Sequence, residues 1–282
     1  CERKNRSGFL WPRRRYAGDA SGGRAVCERT VGKGRVKMEK AVYQRSKLYM
    51  GGHPLCSGCM HGLIGKLILD TLEELEIAPE NTTLLFPPGC GPQQDFCINI
   101  NTVMVGLGRS AAVATGIKRG NPDHFVLCWD GDGADAAIGI GDVIHAAARK
   151  ENITVIMVNN SLFANTGGQM APTTLLGQKS TTCPRGRKED VEGYPINLAE
   201  ILAQVEGTRF SARMAVYDPA HVRKAKKALK TAFRLQVEKK GFSFVEFLSN
   251  CPTNWHMTPL KSIEHIKEMS QLQYPIGIFK GE

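Results

Sequence analysis

Apolar positions along this chain fall into two alternating patterns. Unbroken runs rich in β-branched and aromatic residues occur at 125–129 and at 153–160 (ITVIMVNN), and a shorter one opens TLLFPPGCGP at 83–92. Such runs suit strands buried on both faces of a parallel sheet. Elsewhere apolar residues recur at helical spacing. LIGKLILDTLEEL (63–75) sets Leu63, Ile64, Leu67, Ile68, Leu72 and Leu75 on one stripe, and Pro79 and Asn81 end it. HVRKAKKALKTAFRLQVEKK (221–240) gathers Ala225, Leu229, Ala232 and Phe233 on one face of a basic amphipathic helix. AAIGIGDVIHAAARK (136–150) predicts a third helix, and GLGRSAAVATGIKRG (106–120) a loop running into a fourth, closed by Gly120-Asn121-Pro122. GFSFVEFLSNC (241–251) predicts a strand with Cys251 at its C-terminal end. Strand, loop, helix and strand over 124–160 make a βαβ unit. The predicted fold class is therefore α/β, with a doubly wound parallel sheet.

Composition adds little except in one place. Of 282 residues, 42% are hydrophobic and 23% charged, which excludes collagen-like and largely disordered chains. No apolar run approaches the roughly 18–20 residues that span a bilayer, and no apolar signal region stands near the start, so a cytoplasmic protein without membrane association is expected. The net charge of +10 is unevenly spread. Residues 1–37 carry eleven Lys/Arg against three acids, and the remaining 245 residues carry 26 against 24. Met38 opens MEKAVYQRSKLY, which reads as an ordinary protein start. Residues 1–37 are therefore expected to be a basic, unstructured extension or translated upstream sequence, and 38–282 one domain. A zinc-stabilised nucleic-acid-binding module is an alternative, but it needs a clustered basic face that the near-neutral body lacks.

The chemistry-bearing residues gather at predicted strand ends. Gly131-Asp132-Gly133 and Asn159-Asn160 follow two adjacent strands, where open α/β sheets bind ligands. Asp132 and Asn160 offer hard oxygen ligands of the kind Mg²⁺ shares with phosphates, and the glycines let backbone approach an anion. A helix starting just after Gly133 would aim its N-terminus at the same anion. Cys56-Ser57-Gly58-Cys59 is a CxxC in a loop, and Cys90 and Cys251 each lie beside Pro or Gly at a strand end. Such a set can hold zinc or an iron–sulfur cluster, or act as a redox dithiol. Seven cysteines after Met38, an odd number, argue against a disulfide framework. Cys128 reads as a buried apolar residue, while Cys97 and Cys183 are assigned no role. His61 beside the CxxC is a candidate catalytic, hydrogen-bonding residue. Thr166-Gly167-Gly168-Gln169 reads as a polar loop over a phosphate or substrate. GLGRSA (106–111) looks like a dinucleotide fingerprint but lacks the acidic residue that should follow, and is read as a tight loop into a helix.

Gly131 to Asn160 spans 30 residues around one βαβ unit, which looks like the thiamine diphosphate fingerprint. With CSGCMHG (56–62), PPGCG (87–91), GRSAAVATGIKR (108–119), NTGGQMAPTTLLGQKSTT (165–182) and LSNCPTNWHMTP (248–259), the chain resembles the β subunit of 2-oxoacid:ferredoxin oxidoreductases from about Met38 onward. MAPTTLLGQK and CPTNW point to the 2-oxoisovalerate branch, with the 2-oxoglutarate type near it. The resemblance implies the diphosphate-binding half of a thiamine diphosphate fold. It implies Mg²⁺ on Asp132, Asn160 and the Leu162 carbonyl, and cofactor contacts from Gly131, Gly133, Thr166 and Gln169. It implies a [4Fe–4S] cluster on Cys56, Cys59, Cys90 and Cys251, with His61 at the histidine of the family's CPGCGHG loop. The implied reaction is oxidative decarboxylation of a 2-oxoacid with coenzyme A, electrons leaving to ferredoxin. The implied partners are an α subunit supplying the glutamate that activates the cofactor, a γ subunit and a ferredoxin-like subunit. Departures are Ser57 for the family's Pro, Met60 for its second Gly, Asp135 one place beyond the second Asp of GDGDL, and Leu107 for the His of HGR. A non-redox thiamine enzyme would also carry the pyrimidine-binding half, and so a chain of roughly 500 residues or more.

Overall fold

Residues 125–129 and 155–158 are apolar at every position because both faces of their strands are covered. The computed structural model describes residues 29–31, 34–36 and 45–281. The elements that follow residue 45 are α1 (His61–Glu74), β3 (Thr82–Phe86), β4 (Asn101–Met104), α2 (Ser110–Gly120), β5 (Phe125–Gly131), α3 (Ile140–Ala148), β6 (Thr154–Asn159), β7 (Leu162–Phe163), β8 (Gln169–Met170), α4 (Glu189–Glu192), α5 (Leu198–Gln204), β9 (Thr208–Ala215), α6 (Pro219–Val237), β10 (Phe242–Leu248), α7 (Pro259–Leu272) and β11 (Gly277–Lys280). Seven strands form one sheet in the order β11-β9-β10-β6-β5-β3-β4. All neighbours are parallel except β11, which runs antiparallel to β9. The doubly wound parallel sheet expected from the sequence is thus present, with one antiparallel strand added at its edge.

Side chains of each central strand divide between two layers. Phe125, Leu127 and Trp129 join a core with Ile64, Leu67 and Ile68 of α1, Leu229 and Phe233 of α6, and Ile266 of α7. Val126 and Cys128 point the other way, toward Ala114 of α2, Val143 of α3 and Leu202 of α5. Period-2 alternation between two covered faces produces an unbroken apolar run in the sequence. The predicted stripe of Ala225, Leu229, Ala232 and Phe233 is fully buried, and so is Cys128. Cys97 and Cys183 are buried too.

The helix expected over 136–150 begins later. Residues Ala134–Ile138 form a wide turn, closed by the Gly139 N–H reaching the Ala134 carbonyl at 2.7 Å, and α3 follows. Gly139 is pressed against Gly108, whose φ of +72° admits no ordinary side chain, so the GLGRSA segment is the tight loop expected. β4, β9, β7–β8, α5 and α7 carried no clear apolar signal in the sequence. β9 reads as alternating polar residues, yet it is buried. Its Ser211 Oγ donates to the Ala199 carbonyl at 2.6 Å. Its Arg213, fully buried, pairs with Glu200 at 2.5 Å and with fully buried Glu246 of β10 at 2.9 Å.

The chain divides into two units, Cys1–Arg45 and Ser46–Glu282. In the first, β1 (Arg29–Val31) and β2 (Gly34–Val36) pair antiparallel, with Arg29 opposite Val36. The expectation for the rest of residues 1–37 lies outside the described residues. Among the described residues no helix is long and apolar enough to cross a membrane.

Burial pushes the Glu246 carboxyl up even with Arg213 beside it. Arg213→Met would leave that carboxyl buried without its cation, an expected loss of about 3–5 kcal/mol in denaturant unfolding. The deficit should shrink as pH falls, because a carboxyl whose folded pKa is raised favours the folded state only when protonated. Arg213→Met with Glu246→Gln should recover most of the loss. Equal instability of the single and double variants would contradict this account.

Candidate functional site

Strand register brings the predicted residues together. Leu85 of β3 lies beside Cys128 of β5, Gly131 of β5 beside Val158 of β6, and Asn159 of β6 beside Leu248 of β10. The parallel strands therefore end at one edge. Just beyond it come Cys90, Asp132, Asn160 and Cys251, in the order of the strands that deliver them. The CxxC loop arrives from the start of α1. A cleft opens at this edge. Its walls include His61, Cys90, Asp132, Asn160, Leu162 and Thr166, with Leu107, Trp129 and Phe163 as apolar lining.

Asp132 is buried, and its pKa is pushed up to about 7 by that burial. Donors from Thr173 and from the Gly133 backbone pull the other way. The Gly133 N–H donates to Oδ1 at 3.0 Å, and the Thr173 hydroxyl to Oδ2. Thr173 is held in turn: its carbonyl accepts from the buried Tyr274 hydroxyl at 2.5 Å. Nothing lies within 4 Å of the position a Cβ would take at Gly131, whereas at Gly133 it would meet the Phe163 ring. The first glycine opens space beside the carboxylate, and the second permits close packing beneath it.

Asn160 Oδ1 accepts the Leu162 N–H at 3.2 Å, which folds 160–162 into a tight turn. Ser161 at its centre has φ +59°, a costly conformation for a residue with a side chain. Three contacts enforce it. The Ser161 N–H donates to Asn159 Oδ1 at 3.0 Å, its carbonyl accepts from Thr174 at 2.5 Å, and its hydroxyl from Gln178 at 2.7 Å. Asn159 is itself held by donating to Glu246 at 2.7 Å. The Thr166 hydroxyl donates to Gln169 Oε1 at 2.7 Å and Gln169 Nε2 to the Thr166 carbonyl at 2.8 Å. Thr166 lines the cleft, while the Gln169 side chain is occupied in closing the loop.

The four cysteines form a second group beside the cleft. Burial pushes Cys59 up to about 11 and Cys90 up to about 12, and the neighbouring thiols of the set push both further. Burial raises Cys251 as well. The set therefore holds thiols within electrostatic reach of one another. Among the described residues no three His, Cys, Asp or Glu side chains converge closely enough for a single metal ion. His61 opens α1, and its Nδ1 lies 3.3 Å from Cys59 Sγ. Burial lowers its pKa to about 4, so its ring is neutral near pH 7.

Sequence reasoning missed the residues that hold this group in place. Asn250, fully buried, accepts the Met60 N–H at 3.0 Å and donates to the Gly58 carbonyl at 2.9 Å and to Ser262 at 2.8 Å. It clamps the CxxC loop onto the strand end that carries Cys251. Gly58 has φ +79° and abuts Pro259 of α7. Asn254 donates to the Ala164 carbonyl at 2.7 Å. The only signal for Asn250, Asn254 and Thr173 was their place inside the LSNCPTNW and MAPTT strings. The shifted Asp135 is buried against Asp130. Burial and that neighbour drive its carboxyl far up, which favours its uncharged form.

The chain is similar to several known proteins. Residues 90–247 match the family described as thiamine pyrophosphate enzyme, C-terminal TPP binding domain. Ketoisovalerate oxidoreductase subunit VorA of Methanothermobacter thermautotrophicus is 39% identical over 225 residues, covering 80% of this chain and 47% of that one. The chain thus spans about half the length of that relative. 2-oxoglutarate synthase subunit KorB of Methanocaldococcus jannaschii is 37% identical over 227 residues, covering 77% of this chain and 78% of that one. A 2-oxoglutarate:ferredoxin oxidoreductase from Magnetococcus marinus, solved with 2-oxoglutarate, coenzyme A and succinyl-CoA, shares the fold at a TM-score of 0.69 and 22% identity, over 86% of this chain and 87% of that one. With its TPP-binding domain and a KorB relative matched over most of both lengths, the chain belongs to the 2-oxoacid:ferredoxin oxidoreductase β subunits, within the thiamine pyrophosphate enzymes.

Proposed function

We propose that this chain is the thiamine-diphosphate-binding subunit of an enzyme that oxidatively decarboxylates a branched 2-oxoacid, 2-oxoisovalerate, to an acyl-CoA and CO2, with electrons passed through a [4Fe–4S] cluster to ferredoxin. The observation that carries this reading is the meeting of a buried, uncompensated carboxylate and four thiols at one sheet edge, around a cleft with apolar walls.

The residues present fit both groups. Asp132 is a buried acid, and a divalent cation would supply the charge it needs. Asn160 and the Leu162 carbonyl add two further hard oxygens in a turn that is already folded. The open space beside Gly131 leaves room for a diphosphate, and Thr166 lines the lip above it. A metal–sulfur site would stabilise thiolates at Cys59, Cys90 and Cys251, where burial opposes the charged form.

When bound, thiamine diphosphate supplies the electron sink for cleaving the bond between carboxylate and keto carbon, and the cluster supplies a one-electron acceptor. The protein's part is positional. Asp132 and Asn160 anchor the diphosphate end, and Leu107, Trp129 and Phe163 keep water from the cleft. Neutral His61 can donate one hydrogen bond and accept another without adding charge between the two groups. The glutamate that activates the cofactor would come from an α subunit, with γ and ferredoxin-like subunits completing the assembly. The chain alone is then inactive. Such an assembly would work in the cytoplasm.

The substrate assignment rests on the walls. Among the described residues lining the cleft there is no lysine or arginine to meet the distal carboxylate of 2-oxoglutarate, while the apolar lining suits an isopropyl group. Relatives named for each substrate are similar to this chain, so 2-oxoglutarate is the competing reading.

Three measurements test the proposal. Anaerobic turnover of the complex co-expressed with its partner subunits, with coenzyme A and a viologen acceptor, should be fastest with 2-oxoisovalerate among 2-oxoisovalerate, 2-oxoglutarate, pyruvate and indolepyruvate. Preference for 2-oxoglutarate would reassign the substrate, and no turnover with any would overturn the class. Asp132→Ala should weaken Mg²⁺-dependent thiamine diphosphate binding by more than about 100-fold in a calorimetric titration, beyond the loss usual for outer-shell partners. Unchanged affinity would sink the metal assignment. Cys251→Ala should lose iron and acid-labile sulfide while keeping its circular dichroism spectrum and thiamine diphosphate affinity. An unfolded variant would instead give Cys251 a purely structural role.

A further inference from the structure

One side chain touches both halves of the site. Asn254 follows Cys251 in a tight turn, closed by the Trp255 N–H donating to the Cys251 carbonyl at 2.9 Å. Its Nδ2 donates to the Ala164 carbonyl at 2.7 Å and to Cys251 Sγ at 3.5 Å. Both partners are acceptors, so chemistry dictates which end of the amide faces them. The same side chain packs against Gly168, where φ is +80° and an added Cβ would lie 3.0 Å from the asparagine Cβ. Asn254 therefore holds both ends of the segment 164–168. That segment carries Thr166 at the cleft and Asn165, which accepts from Gln93 at 2.9 Å. The segment is closed on itself by the Gly168 N–H donating to the Phe163 carbonyl at 3.0 Å.

We propose that Asn254 is a positioning residue that joins the two centres: one N–H of its amide bonds the Cys251 sulfur and sets the cluster's reduction potential, while the other pins the loop at the mouth of the cofactor cleft. The inference rests on the reading of the four cysteines given above. Reduction adds one electron to the cluster and breaks no bond. The extra negative charge resides partly on the ligand sulfurs, so an N–H aimed at one of them stabilises the reduced state more than the oxidised one and raises the potential. A side-chain variant removes this donor and keeps the turn, which the Trp255 N–H closes.

The experiment is an anaerobic redox titration of the co-expressed complex, with dithionite as electron donor and viologen mediators, followed by the electron paramagnetic resonance of the reduced cluster. Wild type is compared with Asn254→Leu, Asn254→Asp and the exposed neighbour variant Thr253→Ala. At the potential where wild type is half reduced, the reduced-to-oxidised ratio should fall about tenfold in Asn254→Leu, which is about 59 mV for one electron. It should fall further in Asn254→Asp, which keeps the shape but adds a negative charge, and stay unchanged in Thr253→Ala. Equal potentials in wild type and both Asn254 variants, each carrying a full cluster, would overturn the inference and leave the proposed function standing. Loss of the cluster from both Asn254 variants with the fold intact would reduce Asn254 to a structural role and overturn it as well. A wild-type complex that takes up no cluster would overturn the reading of the cysteines and this inference with it.

Discussion

The register of four parallel strands is the constraint on which the rest of the site depends. Main-chain hydrogen bonds tie β3, β5, β6 and β10 together, so their C-terminal ends stop at one edge. Cys90, Asp132, Asn160 and Cys251 are far apart in sequence and meet only because that edge is common to all four. A slip by one residue in any of these strands would turn its side chains to the opposite layer and carry its functional residue out of the cleft. The two apolar layers, one with α1, α6 and α7 and the other with α2, α3 and α5, therefore do more than stabilise the sheet. They hold the alignment of the chemistry.

A second constraint is the burial of acidic groups without a counter-charge. Asp132, Asp130 and Asp135 are all buried near one strand end, and Cys59, Cys90 and Cys251 share a poorly solvated corner. Burial there opposes ionisation of each. Contrast the Arg213–Glu246 pair, where the sheet supplies its own cation at 2.9 Å. Among the described residues lining the cleft there is no lysine or arginine, and the donors aimed at Asp132 come from a hydroxyl and a backbone N–H.

The supporting polar residues link these features. Glu246 ties β10 to Asn159, Asn159 supports the strained Ser161, and the turn at Ser161 presents Asn160 and Leu162. Asn250 performs the parallel task for the CxxC loop, and Asn254 connects that corner to the cleft. Each of these amides or acids is buried or half-buried with its hydrogen bonds directed, so a change at one is transmitted through short, directional contacts.

Much of this was legible in the sequence. Unbroken apolar runs at 125–129 and 153–160 marked strands covered on both faces, and helical stripes such as that of Ala225, Leu229, Ala232 and Phe233 marked the layers, because burial imposes a period on the residues it admits. GDG, NN, CxxC, PPGCG and SNCP were visible because their glycines, prolines and cysteines answer to local backbone and ligand chemistry. What tertiary structure alone decided lacks such a period. β9 hides a strand behind Thr, Ser and Arg, since Ser211 and Arg213 find their partners in other segments, Ala199 and Glu246. The antiparallel edge strand, the delayed start of α3 where Gly139 meets Gly108, and the roles of Asn250, Asn254 and Thr173 follow from contacts between segments that no local pattern records. The sequence determined which residues could do chemistry and roughly where strands would deliver them. The packing of those strands decided which of them meet.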